Sequence, residues 1–467
     1  MTALAPSANH TIVEQIARLD GARLRGYREA LSFYQGQQWP SPTRRRERRL
    51  VFNYAKAIID KTASYLMSGV SFVVDEAGPS EPEREQARRT ERALRDVYEA
   101  NDLLQLDFDN EVDCAVLGDG AYKVTWDPDE RRVRISAPDV QGLYAWWVGD
   151  DMSRVWRVAS RYYLSDEEAT LLYGSSVLRA PRRSVMSPTG RRQHTVVEVW
   201  TAETFELWFD GALLETKGNP YGFVPFVIYP NLREPKKFWG TSDVQAVRES
   251  VIELNRALSQ LSMILELSGN PVAVLENVTE AQDIAVHPGA VWELPERAKA
   301  YLLDLLQGGG VKLHADYVDM IYRTLHDLGE APRSAFGHNA ANLSGVALNI
   351  EMDPLVKKVQ RKRLLRESAF KRRNDMVLRL LTQYTGVDYT LNRSRVVWGA
   401  LLPVDRTRLV QDEARLVASG IHSRRRAADE VGVADPDSEF ERWCEEEERL
   451  RVDAAPEASD TLVASGE

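Results

Sequence analysis

The most regular hydrophobic pattern in the chain runs from residue 241 to residue 268. Its apolar residues follow one another at alternating steps of three and four, which places them on one face of a single helix. Gly269 and Asn270-Pro271 end the pattern, and Thr241, Ser242 or Asp243 can cap its start. These apolar residues, called the seam below, are Val244, Val247, Val251, Leu254, Leu258, Leu261 and Leu265.

A second helix is predicted for residues 311–330, after a glycine triplet and before Ala331-Pro332. Between the two helices, residues 271–275 and 290–294 have the composition of short strands. Residues 334–345 are small, polar and almost uncharged, which is typical of a loop that buries little. The apolar stripe of the second helix is Val318, Ile321, Leu325 and Leu328. On pattern alone, this unit is a helical hairpin with an inserted β-segment, and such seams are usually core packing.

The first 240 residues mix helical periods with alternating strand periods. Amphipathic helices are predicted near residues 11–34 and 102–117, and strands follow at 143–148, 155–163, 196–201 and 205–209. We therefore predict an α+β fold with a mixed or antiparallel sheet. Residues 174–194, rich in Ser, Arg and Pro, are predicted to form a mobile loop.

A long helix is predicted for residues 346–385, and Asp353-Pro354 can cap or kink it. Its segment 357–379 carries ten Lys or Arg residues against two acidic residues. One interpretation is contact with DNA phosphate, through Lys357, Lys358, Arg361 and Lys362. The other, which we prefer, is pairing with acidic groups of the same core or of a neighbouring subunit, because so long a helix must bury a face.

A second basic segment covers Arg44–Arg49. It fits contact with nucleic acid or with an acidic partner, but a solvated loop or subunit salt bridges are the preferred interpretation. At the other end of the chain, helices are predicted at 406–419, 423–430 and 437–451. Residues 456–467 are typical of a disordered tail.

Composition and charge exclude several classes of protein. The 467 residues suffice for two to four domains, and the net charge of −10 argues against coating of nucleic acid by bulk positive charge. Cys114 and Cys444 offer neither a disulfide framework nor metal-ligand spacing. No apolar run reaches the length of about 18 residues that a membrane span requires, so we expect no contact with a membrane.

The sequence also lacks the usual marks of catalysis. It contains no phosphate-binding loop, no dinucleotide fingerprint and no His-Glu-x-x-His motif, and the seven histidines are scattered. LSG at 343–345 lacks the flanking strand and second glycine of a nucleophile elbow. We expect no catalytic residue, no cofactor and no metal ion.

Taken in order, four segments resemble portal proteins of tailed bacteriophages, of the siphophage type. YREALSFYQGQQWP with RLVFNYAKAIIDKTASYLMSG (27–69) resembles the N-terminal entry of that family, and NPYGFVPFVIYPN with GTSDVQAVRESVIELNRALSQL (219–261) resembles its junction into the first stem helix. LSGVAL (343–348) resembles the segment after the tunnel loop. ALLPVDRTRLVQDEARLVASGIHSRRRAADEVG (400–432) is similar to its C-terminal helical region.

The resemblance implies a fold with wing, two-helix stem, β-containing clip, tunnel loop and helical crown. The wing would comprise residues 1–240 and 346–400, the stem helices 241–268 and 311–330, the clip 269–310, the tunnel loop 331–345 and the crown 401–455. The seam would then pack against the partner helix and against neighbouring subunits. The loop residues facing the channel would be Ser334, Phe336, His338, Asn339, Asn342, Leu343 and Ser344.

The family resemblance also implies partners and a location. Portal proteins form a ring, usually of twelve subunits and sometimes of thirteen when made alone, at one vertex of the capsid. The ring is a conduit for packaging and ejection of double-stranded DNA, without sequence specificity. It is assembled in the cytoplasm of the bacterial host and docks the large terminase, the head–tail adaptor, and capsid and scaffolding proteins.

Two other classes of protein are alternatives to a portal protein. A nucleic-acid-processing subunit, such as a terminase or nuclease, would need a phosphate loop or a cluster of acidic metal ligands, and the sequence has neither. A head–tail scaffold or adaptor would need no ring and would behave as a small species in solution.

Overall fold

The computed structural model describes the chain in separate stretches. They are residues 12–40, 48–75, 78, 80–179, 185–186, 192–269, 272–276, 297, 299–303, 310–337, 345–402, 406–433 and 436–453. The features predicted at 290–294, 338–344 and 456–467 lie outside these residues and stay predictions. The chain divides into two compact units, residues 1–399 and residues 400–467, which are described separately.

The described part of the first unit contains nine α-helices. They are α1 Ile12–Arg18, α2 Gly21–Tyr34, α3 Tyr54–Leu66, α4 Glu81–Ala100, α5 Leu103–Leu117, α6 Asp166–Tyr173, α7 Asp243–Gly269, α8 Gly310–Gly329 and α9 Gly345–Thr385. Local sequence sets two of the starts: the Asn53 side chain accepts a hydrogen bond from the backbone N–H of Lys56 at α3, and Ser80 and Glu83 form a capping box at α4. Pro354 lies inside α9 and does not end it.

The strands of the first unit form four separate sheets. They are β1 Ser71–Val74, β2 Asp119–Asp127, β3 Arg132–Ser136, β4 Leu143–Val148, β5 Asp151–Leu164, β6 Val185–Met186, β7 Arg192–Thr201, β8 Thr204–Phe209, β9 Ala212–Gly218, β10 Phe226–Pro230, β11 Val272–Glu276, β12 Lys299–Leu303 and β13 Ser394–Val397. The largest sheet has the order β4-β5-β7-β8-β9, with β6 paired to β7. A second has the order β10-β2-β3, and two-stranded sheets join β1 to β13 and β11 to β12.

Every strand pair in the described part of the chain is antiparallel. Together with the helices, this confirms the predicted α+β class. Within residues 174–194, the structure contains a 3-10 helix at Ser175–Arg179, strand β6 and the start of β7. The prediction of a loop there is therefore wrong for those parts.

The segment between α7 and α8 contains the hairpin of β11 and β12, in which Val274 lies opposite Tyr301. The first predicted strand of this segment is confirmed to within one residue. Its partner is Lys299–Leu303, a strand that was not predicted from the sequence.

A close contact between the backbones at Gly118 and Gly240 sets the direction in which α7 leaves the three-stranded sheet. Gly118 has φ 110°, and a Cβ on Gly240 would lie only 2.4 Å from the Gly118 carbonyl oxygen. Both positions therefore require glycine. Asp119 accepts a hydrogen bond from the Gly240 N–H at 2.8 Å, and the Thr241 N–H donates to the Leu232 carbonyl at 3.0 Å. The start of α7 is thus fixed to β2.

The second unit contains α10 Arg406–Ala418, α11 Arg424–Val431 and α12 Pro436–Asp453. Ser423 caps α11 by accepting a hydrogen bond from the Arg426 N–H at 3.2 Å. Among the described side chains of this unit, Glu413 is buried and accepts a hydrogen bond from His422 at 2.8 Å.

Candidate assembly and channel surfaces

The first half of the seam belongs to the core of the single chain. Val244, Val247, Val251 and Leu254 are each at most 1% exposed. They pack in one cluster with Ile321 and Leu325 of α8 and with residues of α3. At the end of α8, Gly329 allows close contact, because a Cβ there would lie 3.2 Å from Ile58. For this half of the seam, the predicted packing against the partner helix is therefore observed, whereas a contact with neighbouring subunits stays a prediction.

The second half of the seam becomes progressively more open to solvent. Leu258 and Leu261 are half-buried, and Leu265 is 52% exposed. On α8, the predicted stripe is buried at Ile321 and Leu325, but Leu328 is 51% exposed. Leu328 lies instead on a second face of α8, together with Leu313, Tyr317 and Met320, which are 70%, 40% and 56% exposed. We call these four residues the α8 stripe.

The start of the predicted tunnel loop is folded into the body of the protein. Arg333–Phe336 is a 3-10 helix in which Ser334 and Ala335 are buried. Phe336 is half-buried, with its ring 5.7 Å from His326 and the Lys61 ammonium 5.8 Å from its ring centre. The burial of Ser334 goes against the prediction that it faces a channel. For the half-buried Phe336, a place beside a channel stays a prediction. His338, Asn339, Asn342, Leu343 and Ser344 lie outside the described residues.

Two of the four cations proposed for DNA contact are buried inside the chain. The Lys362 ammonium lies 2.6 Å from Asp243 and 2.7 Å from the Asn231 side-chain oxygen. Lys358 donates to the Gly329 carbonyl at 3.0 Å and lies 3.7 Å from Asp243. Neither ammonium group can reach phosphate in solvent, so these two assignments to DNA are wrong and the preferred alternative of core pairing is confirmed for them.

The other two proposed cations are on the surface. Arg361 donates to both carboxylate oxygens of Glu330 at 2.7 Å, with half of its side chain exposed. Lys357 is exposed. A contact of either residue with DNA or with a neighbouring subunit stays a prediction.

Further along α9 lie two buried arginines with carboxylate partners, which were not predicted from the sequence. Arg366 donates to both oxygens of Glu111, at 2.8 and 2.9 Å, and to the Asn231 carbonyl at 2.7 Å. Arg373 forms a two-pronged pair with Asp107. Both guanidinium groups are fully buried. The signal available in the sequence was the spacing of 358, 362, 366 and 373, which places these four cations on one side of a helix.

The charges in this cluster stabilise one another. Burial alone would raise the pKa of Asp243, but the ammonium groups of Lys362 and Lys358 outweigh burial and hold that pKa well below its ordinary value. Burial opposes the charge on Arg366, yet the Glu111 carboxylate raises the pKa of the guanidinium. Burial lowers the pKa of Lys358, against the attraction of Asp243. Ion pairs therefore hold the middle of α9 to the start of α7 and to α5, and the hydrogen bond from Lys358 to the Gly329 carbonyl joins the end of α8 to the same cluster.

Comparison with known families decides which kind of protein has this arrangement. The family described as "Phage portal protein, SPP1 Gp6-like" matches residues 16–451, nearly the whole chain. The chain belongs to this family of phage portal proteins. No curated protein matches it. The predicted resemblance to tailed-phage portal proteins is thereby confirmed, and the family is one of structural proteins of the capsid vertex that serve DNA packaging.

Of the basic segment Arg44–Arg49, the structure describes only Arg48 and Arg49. Residues 44–47 lie outside the described part, whereas Arg48 pairs with Glu266 of α7 at 2.8 Å, with more than half of both side chains exposed. The Arg49 guanidinium lies 4.9 Å from the ring centre of Trp39. A contact between this segment and DNA stays a prediction.

Metal binding and membrane insertion are two further properties on which the structure of this portal-family chain bears. Within the described residues, no group of three His, Cys, Asp or Glu side chains is arranged to hold a metal ion. Over the same residues, no helix is both long enough and apolar enough to cross a bilayer. Burial raises the pKa of the Cys114 thiol far above its ordinary value, so this cysteine stays protonated.

Proposed function

We propose that this chain assembles into a closed ring at one capsid vertex, with α7 and α8 as the stem around an axial channel for double-stranded DNA. DNA would pass through without sequence specificity during packaging and ejection. The ring would dock the large terminase on one side and the head–tail adaptor on the other, and would contact capsid and scaffolding proteins. A ring of twelve is expected, with thirteen also compatible with heterologous contacts that close on themselves.

The α8 stripe is the observation that supports a ring most directly. Leu313, Tyr317, Met320 and Leu328 expose large apolar surface along one face of a helix whose neighbouring face, with Ile321 and Leu325, is already buried. A contiguous apolar face of this kind usually marks a contact with another protein. At about 25 cal/mol per Å² of buried apolar area, covering it favours association. Leu265 and Met263, both exposed near the end of α7, add to the apolar surface of the stem.

The proposal is tested by measuring mass in solution and imaging the particles. Size-exclusion chromatography with light scattering should give a mass near twelve or thirteen times that of one chain, and negative-stain images should show rings with a central hole. Met320→Ser combined with Leu313→Ser should shift the protein towards smaller species, because the contact loses its apolar side chains. Since both residues are exposed in the single chain, the melting temperature of the protomer should change little.

Ala315→Ser is the matched control, because Ala315 is exposed on the same helix but lies on a different face from the α8 stripe. It should leave the ring intact. A monodisperse monomer at micromolar concentration in several salts would contradict the ring, and would favour a monomeric scaffold or adaptor instead. Rings that survive the double substitution would place the subunit contact on another surface.

A further inference from the structure

The cations of α9 fall into two groups that differ in their partners. Those on the inner side, Lys362, Arg366 and Arg373, each pair with a buried carboxylate. On the outer side of the same helix, Lys371, Arg372 and Arg379 are exposed. Among the described residues, no carboxylate oxygen lies within 4.0 Å of these three. Within the described part of the chain, the outer cations therefore form no ion pair with a carboxylate, and the nearby Asp375 attracts Lys371 and Arg379 only from beyond 4.0 Å.

Two of the outer cations line a small polar hollow. Lys371 and Arg379 surround it together with Arg393, Thr390 and Asn392, and its volume is about 310 Å³. Arg393 is exposed and has no carboxylate within 4.0 Å among the described residues. Asp375, the acidic side chain in the lining, is half-buried. Burial raises its pKa, against the attraction of the three cations. Even with Asp375 ionised, the hollow carries a net positive charge.

An apolar groove lies along the neighbouring face of the same turns of α9. Phe223, Val224, Leu365 and Met376 contribute apolar side chains to it, and its volume is about 650 Å³. Arg372 lines this groove and donates to the Ile228 carbonyl at 3.3 Å. Although Arg372 as a whole residue is exposed, desolvation of its guanidinium beside the groove lowers the pKa of that group, so an external anion would stabilise its charge.

The hollow and the groove are linked by a direct contact. The Arg379 guanidinium, which lines the hollow, lies 5.9 Å from the ring centre of Phe223, which lines the groove. A ligand that crosses this part of α9 would therefore meet exposed cations and an apolar surface side by side.

We propose that this outer face of α9 docks an acidic peptide segment of a partner protein, which places carboxylates on Lys371, Arg372, Arg379 and Arg393 and an apolar side chain in the groove. Arginine binds carboxylates with two parallel hydrogen bonds, and such charge-assisted bonds are strong when water is excluded. The inference does not depend on ring formation, since all of the residues involved lie within one unit of a single chain.

The apolar groove is the reason to prefer a peptide to nucleic acid. A DNA backbone would satisfy the cations, but it has no side chain to fill a groove lined by Phe223, Leu365 and Met376. An acidic segment with Leu or Phe between its Glu residues satisfies both surfaces at once. Such a ligand should therefore bind more tightly than one that carries the same negative charge alone.

The experiment measures fluorescence anisotropy of labelled probes added to the full chain. The probes are a peptide in which pairs of Glu alternate with Leu and Phe, a poly-glutamate peptide of equal charge, and a short double-stranded DNA. The mixed peptide should bind at least about tenfold more tightly than poly-glutamate. Lys371→Glu with Arg379→Glu should weaken the mixed peptide by at least about tenfold, and a version of that peptide with Lys in place of Glu should restore binding to this variant.

Lys357→Gln is the matched control, because Lys357 is an exposed cation on α9 that lines neither the hollow nor the groove. It should bind the mixed peptide as the unmodified chain does. Failure of the mixed peptide to bind at about 100 μM, or equal losses in the control and in the double variant, would overturn the proposal. So would DNA binding at least as tight as peptide binding that the double variant abolishes, because the face would then be a nucleic-acid surface.

Discussion

Asp243 is the residue at which three elements of the first unit meet. It begins α7, it receives Lys362 and Lys358 from α9, and the Asn231 side chain after β10 donates to it at 3.2 Å. All of these groups are buried. Ion pairs taken out of water add little net stability when complete, but removal of one partner leaves a charge with no compensation.

Asp243→Asn should therefore destabilise the folded chain strongly, by about 3–5 kcal/mol, because Lys362 and Lys358 would lose their carboxylate. A large drop in melting temperature measured by circular dichroism would agree with this. Glu330→Gln is the control: Glu330 pairs with Arg361 at the surface, and its loss should change stability by at most about 1 kcal/mol. Equal effects of the two substitutions would mean that the buried cluster does not hold these elements together.

Asp119 is a second buried carboxyl, but its pKa is raised on folding, whereas that of Asp243 is lowered. It accepts hydrogen bonds from Tyr27 and from the Gly240 N–H, but burial raises its pKa to about 6. A carboxyl whose pKa is raised on folding stabilises the protein fully below its ordinary pKa. That contribution disappears as the pH rises through about 6.

Asp119→Asn removes this titration. The stability of the variant relative to the unmodified chain should therefore improve from pH 5 to pH 8 by about 1.4 kcal/mol, because about one pH unit separates pH 5 from the folded pKa and each unit is worth about 1.4 kcal/mol. The difference in melting temperature between the two proteins, measured across that range, tests the sign. A constant difference would show that Asp119 does not titrate there.

At the scale of elements, the sequence predicts the positions of the helices much better than it predicts the contacts between them. The period of three and four on 241–268 predicts a helix, and α7 spans Asp243–Gly269. Period alone does not say whether the apolar face meets the same chain or another one. Leu254 is buried by α8 and neighbouring helices, whereas Leu265, at the same kind of position, is exposed. That difference depends on where α8 and α3 lie, which no local pattern encodes.

Leu254→Ala and Leu265→Ala should separate these two roles of the seam. Loss of a buried leucine leaves a cavity, so Leu254→Ala should lower the free energy of unfolding by about 2–5 kcal/mol. Leu265→Ala should change it by about 0.5 kcal/mol or less, because the side chain is already half in water. Urea denaturation at matched concentration and oligomeric state tests this. Similar midpoints for the two variants would mean that the division of the seam is wrong.

Two further elements show why the sequence was insufficient. Lys299–Leu303 forms a strand because it pairs with Val272–Glu276 from the other end of the inserted segment, and such distant pairing has no local signal. Arg333–Phe336 has the composition of a loop, yet its small Ser334 and Ala335 allow it to pack closely as a 3-10 helix. Likewise, a count of the cations on α9 could not distinguish buried cations from exposed ones. The carboxylates that pair with the buried cations come from α5 and α7, which are distant in sequence.

At the scale of the whole molecule, a net charge of −10 coexists with many cations that are already neutralised inside the chain. Under the proposed function, this is an advantage. Each cation that neutralises a phosphate adds to DNA affinity, and strong affinity would slow the passage of DNA. Cations committed to Asp243, Glu111 and Asp107 stabilise the protomer without offering DNA a contact.

The proposed channel gives a specific prediction for residues 338–344. In the sequence, these residues connect the 3-10 helix at Arg333–Phe336 to α9, and both of these elements have buried side chains. On one side, Ser334 and Ala335 are buried, and on the other, Met352 and Leu355 of α9 are at most 3% exposed. Removal of Ala340 and Ala341 should therefore leave ring assembly and melting temperature unchanged. If this segment meets DNA in the channel, the same deletion should reduce DNA packaged or retained in particles, measured as nuclease-protected DNA per capsid.

Deletion of Ser334 and Ala335 is the contrasting variant and should lower the melting temperature, because it removes buried side chains. Normal DNA retention after the first deletion would place the narrow part of the channel elsewhere, and loss of rings would make the segment part of the subunit contact.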